Sequence, residues 1–407
     1  MPKNILIRRK YLDTLMSLVD DPRMKAIMGP AFVGKTVLLN QFKGELLLHG
    51  FSESSIVSLS YNRAVVLVEN ADEFYGILEK ACAGNPKVLL IDSIHVVPQY
   101  REAILKFHKA YPEISIYATA STSSLFDLDE VPGFEENVAT IHLYPFTFKE
   151  FLQRYPGNPQ EQFQKYLSNG GFPFMTPDLD PADRAMMLEG FMHLVALKLV
   201  LRENKTNPKG MAALLAYLFA NVSCCLTMKE VLAQSGIVDN RTLEKYINRI
   251  VESGILYRSV GYQMDRGMKE SAKMTFFAAD TLNGAFINLR GIQPTPWRNL
   301  VTNVLFTDLK ARGYEPDTLM YKGEPVGMRI FINDKPLLLR VDLSAEPDTQ
   351  SNSFTAYRTT SMDKVLLTLD PTTPELKKYH HMNLVEFLMK EDLSELLDDE
   401  ETSKKSE

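Results

Sequence analysis

Gly29-Pro30-Ala31-Phe32-Val33-Gly34-Lys35-Thr36 places two glycines, a lysine and a hydroxyl residue at the spacing G-x-x-x-x-G-K-[ST]. Each fixed residue type has a physical task. Glycines let the chain turn tightly, so that successive backbone N–H groups face an anion, and the positive end of the following helix adds to the field. Lys35 in this pattern reaches the β- and γ-phosphates, and the Thr36 hydroxyl holds Mg²⁺. The flanks supply the setting. Met24-Lys25-Ala26-Ile27-Met28 reads as a short buried strand, and Val37-Leu38-Leu39-Asn40-Gln41-Phe42 opens a helix. The segment is therefore expected to bind ATP with Mg²⁺ through Gly29, Pro30, Ala31, Phe32, Val33, Gly34, Lys35, Thr36 and Val37.

Outward from the loop, the first ~150 residues alternate strand-like and helix-like runs, which predicts an α/β fold with a parallel sheet covered on both faces. Ser55–Ser60, Lys87–Asp92, Ile114–Ala118 and Thr140–Leu143 are the other strands, with helices at Glu73–Cys82 and Tyr100–Ala110. Asp92 ends an apolar strand, and in P-loop proteins such a carboxylate orders the Mg²⁺ shell, so Thr36 and Asp92 are the expected metal contacts. Hydrolysis further needs a group that orients water. Ser93 follows Asp92, and a serine hydroxyl is a poor base near neutral pH. Strand alternation would put His95 on the side of Ser93, as a substitute base or as an ordinary loop residue. The hydroxyls of Thr119-Ala120-Ser121-Thr122-Ser123-Ser124 form either a γ-phosphate sensor, with Ser121 the candidate, or a plain polar turn.

Past Pro145 the pattern turns helical, with helices at Phe148–Arg154, Pro159–Leu167 and Pro181–Leu201. Helices at Met211–Ala220, Thr227–Gln234 and Asn240–Ser253, then strands at Ile255–Arg258 and Met274–Phe277, suggest a winged helix. Arg241, Lys245 and Arg249 share one face of its last helix, and Arg266, Lys269 and Lys273 lie between its strands; they are candidate DNA contacts or a solvated stripe. The last unit opens with a helix at Asn299–Arg312 and continues as α+β, with Trp297 expected to pack at its start. The expected domains are 1–150, 151–210, 211–290, 291–390 and an acidic, disordered tail, 391–407.

Composition narrows the function classes. The chain has 407 residues, 45% hydrophobic, with a formal net charge of −6, so nucleic-acid binding must use a local basic patch. Three cysteines and seven scattered histidines build neither a disulfide framework nor a zinc site, and His380-His381 reads as a surface pair. No run approaches the ~18 apolar residues of a membrane span, so a cytoplasmic protein without membrane contact is expected.

These segments together resemble a bacterial and archaeal family of AAA-like P-loop ATPases that carry a C-terminal domain of the DUF4143 type. The resemblance rests on Arg8-Arg9 with Tyr11-Leu12, the loop itself, Leu89–His95, Ala118–Ser121, Tyr144-Pro145-Phe146-Thr147-Phe148-Lys149-Glu150-Phe151, Gly170-Gly171-Phe172-Pro173 and Phe276–Thr281. It implies an AAA-like nucleotide domain, a helical lid with winged helix, and a restriction-endonuclease-like last domain. Departures fall on chemistry: Ser93 stands for the family's catalytic Glu, and Glu136-Asn137 stand where an Arg is usual. In the last domain Thr302 precedes Asn303 where a Glu is expected, Met328-Arg329 replace an Asp, and Asp342 (in Arg340-Val341-Asp342) stands alone, so no nuclease chemistry is expected. The implied function is ATP binding that controls interdomain posture with slow or absent hydrolysis. The alternative is a DNA- or protein-binding winged-helix regulator with a vestigial loop.

Overall fold

The structure, a computed structural model, describes residues 5–61, 68–121, 131–201, 208–281, 296–343, 351–369 and 380–397. The chain divides into two compact units, Met1–Tyr144 with Glu252–Gly254, and Pro145–Val251 with Ile255–Glu407.

In the first unit, α1 (Arg9–Ser17), β1 (Met24–Gly29), α2 (Lys35–Leu48), β2 (Ile56–Ser60), α3 (Ala71–Ala81), β3 (Val88–Asp92), α4 (Tyr100–Ala110), β4 (Ser115–Ser121) and β5 (Val138–His142) follow in order. The sheet order is β2-β3-β4-β1-β5, and every pairing is parallel. β1 and β3 are buried at every position, as their apolar runs require. One face carries Met24, Met28, Leu89 and Ile91 against Phe74, Leu78 and Phe107 of α3 and α4. On the other face Tyr117 packs on Phe42 of α2, ring centroids 4.6 Å apart, and its hydroxyl donates to the Leu15 carbonyl.

A lysine lies on that second face. Lys25 is 1% exposed, and its Nζ donates to the Asp21 carbonyl (2.6 Å) and to Ser115 Oγ (2.8 Å). Burial pulls its pKa down to about 8, against partial compensation from Asp21 and Asp20.

The second unit begins with α5 (Phe148–Arg154), α6 (Pro159–Asn169), α7 (Pro181–Leu201) and α8 (Pro208–Ala220). Three motifs far apart in sequence meet here. Phe146 N–H donates to the Gly171 carbonyl, Tyr166 Oη to the Phe146 carbonyl, and Gly171 N–H to Asp280 Oδ2. A Cβ on Gly171 would lie 2.2 Å from the Phe146 carbonyl oxygen, so only glycine fits.

β6 (Cys225–Leu226), α9 (Met228–Ser235), α10 (Asn240–Glu252), β7 (Leu256–Ser259), β8 (Gly261–Gln263), β9 (Lys269–Glu270) and β10 (Met274–Ala278) come next. β6, β10 and β7 form an antiparallel sheet. The segment between β7 and β10 is not a simple hairpin tip. β8 and β9 join a seven-stranded sheet, where β8 pairs in parallel with a strand of the last region.

That region holds α11 (Trp297–Arg312), β11 (Asp317–Tyr321), β12 (Glu324–Ile332), β13 (Lys335–Val341), α12 (Asn352–Thr359), β14 (Asp363–Thr368), β15 (His380–Asn383) and α13 (Leu384–Met389), with sheet order β15-β14-β13-β12-β11-β8-β9. Two sequence expectations change. Trp297 is 45% exposed, because it opens the helix ahead of the first buried position, Leu300. The tail was expected to be disordered from Glu391, but Leu393 and Leu396 are buried, so the fold extends through them; 398–407 lie outside the described residues. Among the described residues no helix is long and apolar enough to cross a membrane.

Lys25 makes the first unit's stability pH-dependent with a definite sign. Between its lowered pKa, about 8, and the ordinary lysine value the unfolded chain binds more protons than the folded one, so raising pH favours folding. The unfolding free energy of the wild type minus that of Lys25→Met should climb from pH ~8 to ~10 by up to ~1.4 kcal/mol per unit. Urea titrations across that range check it; a flat difference contradicts the buried ammonium.

Candidate functional site

The parallel sheet brings the carboxyl ends of β1, β4 and β3 side by side, since β4 lies between the other two. Ligands of open parallel sheets bind at this edge. β1 ends at Gly29, where the loop begins. A Cβ there would fall 2.4 Å from the Leu143 carbonyl oxygen, so the close approach of the chain after β5 demands glycine. Gly34 turns the loop into α2 with φ +101°, a left-handed conformation that glycine adopts without strain. Phe32 also has positive φ (+65°), half-exposed at the loop's outer side, whereas Val33 is buried beneath it. Pro30 is buried, Ala31 is half-buried, and Val37 points outward on the first turn of α2. Lys35 Nζ donates to the carbonyls of Gly29 and Pro30, 2.8 Å each, so the ammonium lies over the loop.

Asp92, 4% exposed, is the centre of the arrangement. Thr36 Oγ1 donates to its two carboxylate oxygens at 3.1 and 3.0 Å, and Thr119 Oγ1 donates to Oδ1 at 2.6 Å. Ser60 Oγ stands at 3.5 Å from Oδ2, the outer limit of a hydrogen bond. The Ser93 N–H donates to Thr119 Oγ1 at 2.7 Å, so Thr119 both accepts and donates. Thr36 and Asp92 are thus in contact. The donor set, one hydroxyl and one carboxylate beside a glycine loop, suits Mg²⁺, which keeps most of its waters and takes few protein ligands.

Thr119 was legible only as part of a polar stretch. It is fully buried and serves Asp92 rather than the loop edge. The signal for it lies in register: Ile91 pairs with Ala118, which puts Thr119 beside Asp92. The Ser121 side chain and residues 122–130 lie outside what the structure describes.

Of the two readings of His95, the strand-alternation one fails, and the residue lies in a turn. β3 stops at Asp92, Ser93 adopts φ +60°, and Ile94–Val96 form a 3-10 turn, so strand alternation ends before His95. Ser93 is half-buried, and its side chain makes no hydrogen bond among the described residues. Asn137 Nδ2 closes a local turn onto the Gly133 carbonyl (2.6 Å), and Glu136 is exposed.

Elsewhere, Arg241 and Lys245 are exposed on α10 and Arg249 is half-buried; Arg266 and Lys269 are exposed on the turn and strand that extend the large sheet. Glu244 on α10 pairs with Arg258 at 2.6 Å and offsets part of that helix's positive charge. In the last region Asn303 is fully buried and clamps Ala278 through both its amide atoms, Arg329 forks onto Asp317, and Arg340 and Asp342 are buried.

Residues 21–152 match the family model of an AAA domain. Over 383 residues the chain is 23% identical to an uncharacterised protein of Haemophilus influenzae, covering 90% of this chain and 94% of that one. Among solved structures, AMPPCP-bound DnaA from Aquifex aeolicus aligns at 16% identity over 62% of this chain and 92% of that one, with TM-score 0.29. The S. cerevisiae Hsp104:casein complex aligns at 14% identity over 65% and 58%, with TM-score 0.32. On the family-model match, residues 21–152 are similar to an AAA-type P-loop domain, a class that supports nucleotide binding.

Thr119→Val keeps the shape of the side chain but strands both the Ser93 N–H and a lone pair of Asp92 in a buried site. It should lower the unfolding free energy by ~1–3 kcal/mol, and Thr119→Ser should recover most of that loss. Urea unfolding of both variants measures the difference.

Proposed function

We propose that this protein binds ATP with Mg²⁺ at the Gly29–Thr36 loop and hydrolyses it slowly or not at all, nucleotide occupancy setting the posture of the second unit. The observation that carries the reading is the Asp92 carboxylate held against the Thr36 hydroxyl at 3.0 Å, beside a glycine-hinged loop topped by Lys35. The backbone N–H groups at the start of α2 and the Lys35 ammonium would bind the phosphates. Bound Mg²⁺ would supply charge neutralisation of the β- and γ-phosphates, with Thr36 as ligand and Asp92 ordering the shell. What is thin is the hydrolytic part. Ser93 is the residue after Asp92, and a neutral hydroxyl accepts a proton poorly. The resemblance to DUF4143-bearing ATPases is extended to the second unit on the same footing, as a proposal.

Calorimetry should show Mg·ATP binding to the wild type and a loss of about tenfold or more in Lys35→Ala. Steady-state turnover should stay below ~1 s⁻¹. Ser93→Glu should raise turnover if water orientation is the missing part. Absence of ATP binding by the wild type overturns the proposal, and ordinary turnover abolished by Lys35→Ala overturns its slow-hydrolysis half.

The second reading is a DNA- or protein-docking regulator. We read α8, α9 and α10 with the β6-β10-β7 sheet as a winged helix, and the exposed Arg241 and Lys245 on α10 favour this reading. With Arg249, Arg266 and Lys269 they would meet phosphates. Duplex DNA binding should then weaken with salt, and Arg241→Ala with Lys245→Ala should flatten the log–log salt slope by about 2. A gel shift insensitive to both substitutions removes the DNA version.

A further inference from the structure

The second unit contains a cavity of about 630 Å³, distinct in residues from the P-loop site. It lies where β6, β10, the start of α11, the β11–β12 turn, β13 and the start of α12 converge. That volume falls in the range of small-molecule sites, roughly 300–1,000 Å³.

Three cationic side chains line it, Lys273, Arg298 and Arg340, against two carboxylates, Glu324 and Asp342. Their settings differ. Arg340 is 5% exposed, donates from Nη1 to the Val326 carbonyl (2.9 Å), and lies over the rings of Phe354 and Tyr357. Lys273 Nζ is held by the Gly323 carbonyl at 3.1 Å. Arg298, in the first turn of α11, is exposed; its carbonyl accepts from Thr302 Oγ1 (2.8 Å), and its guanidinium makes no hydrogen bond or ion pair among the described residues. α11 has neither a side-chain cap nor an acidic residue in its first turn, and α12 also begins at the cavity, at Ser351 and Ser353. Ser351 already caps α12 by accepting from the Phe354 N–H, so it is the uncapped start of α11 that reinforces the cations as an anion field. Thr275, Thr302 and Thr318 hydroxyls and the apolar side chains of Phe277, Leu305 and Met328 complete a mixed lining. Such a lining suits a ligand with a phosphate at one end and a less polar, hydroxyl-bearing body that Asp342 accepts from.

We infer that this cavity binds a small phosphomonoester of the sugar phosphate or nucleoside monophosphate class, with Arg298 as its mobile phosphate contact. The site is independent of ATP at the P-loop. It asks nothing of the carboxylate cluster that nuclease chemistry needs.

The cavity carries its own reporters. Cys224 and Cys225 are half-buried on its wall, with Asn299 Nδ2 donating to Cys224 Sγ at 3.0 Å, whereas Cys82 is buried in the first unit. Burial pushes all three thiols above their ordinary range. The test follows maleimide alkylation of each cysteine by mass spectrometry on the full chain, in wild type and in Lys35→Ala. The probes are ribose 5-phosphate, AMP and inorganic phosphate. One of the two organic monoesters should slow alkylation of Cys224 and Cys225 saturably, leave Cys82 unchanged, and act alike in both backgrounds. Arg298→Ala should weaken that protection about tenfold, as expected for a lost charge-assisted hydrogen bond. Whichever monoester protects at lower concentration identifies the source. The inference fails if neither protects at ~10 mM, a ceiling that already corresponds to very weak binding. It fails equally if protection survives Arg298→Ala, if inorganic phosphate protects as well as the monoesters, or if only an oligonucleotide protects.

Discussion

A carboxylate buried at the end of an apolar strand is the constraint around which the first unit is arranged. Asp92 is nearly sealed from solvent, and an ionised group there is costly unless donors surround it. Those donors come from separate segments: Thr36 at the start of α2, Thr119 on β4, and Ser60 at the outer limit on β2. Only the strand order β2-β3-β4 brings them together. The requirement therefore runs both ways. The sheet must have this order for Asp92 to be satisfied, and once it does, Asp92 fixes where the first turn of α2, and hence the loop before it, can stand. Thr119 is the tightest member, because its hydroxyl also receives the Ser93 N–H and so ties the carboxylate to the turn that ends β3.

This explains how much the sequence made legible. The loop, the flanking strand and helix, and Asp92 at its strand end are local patterns, and local patterns can be read along the chain. Thr119 beside Asp92 is a fact of register between β3 and β4, and nothing in the Thr119–Ser124 stretch alone marks it as different from a turn. For His95 the loop reading holds and the strand-alternation one does not, because period-2 reasoning lasts only as long as the strand, and Ser93 at φ +60° ends it. In the second unit the β7 and β10 strands were visible as apolar runs, but the departure of β8 and β9 to another sheet was not, since that depends on β11 offering a free edge. Leu393 and Leu396 were hidden by the charges around them: the average composition of a tail says little about two leucines with a place to go. The motifs around Phe146, Gly171 and Asp280 show the complementary case. They stand out in the sequence, but their meaning is wholly tertiary, a knot in which Gly171 passes too close to Phe146 for any side chain.

The same accounting separates the residues of the loop by what each does for the fold. Gly29 has a packing reason in the Leu143 carbonyl; Gly34 has a conformational one in its positive φ; Thr36 has one in the satisfaction of Asp92. A chain that had ceased to bind nucleotide would still gain stability from all three. Lys35 is different. Its ammonium rests on two carbonyls of the loop itself, those of Gly29 and Pro30. Placing a cation beside the uncompensated N–H groups at a helix start is electrostatically unfavourable until an anion joins them. Folding thus accounts for the glycines and the threonine, whereas the lysine is the residue on which the proposed anion binding bears. Ser93 is the mirror image: its backbone N–H serves the fold through Thr119, while its side chain makes no hydrogen bond among the described residues.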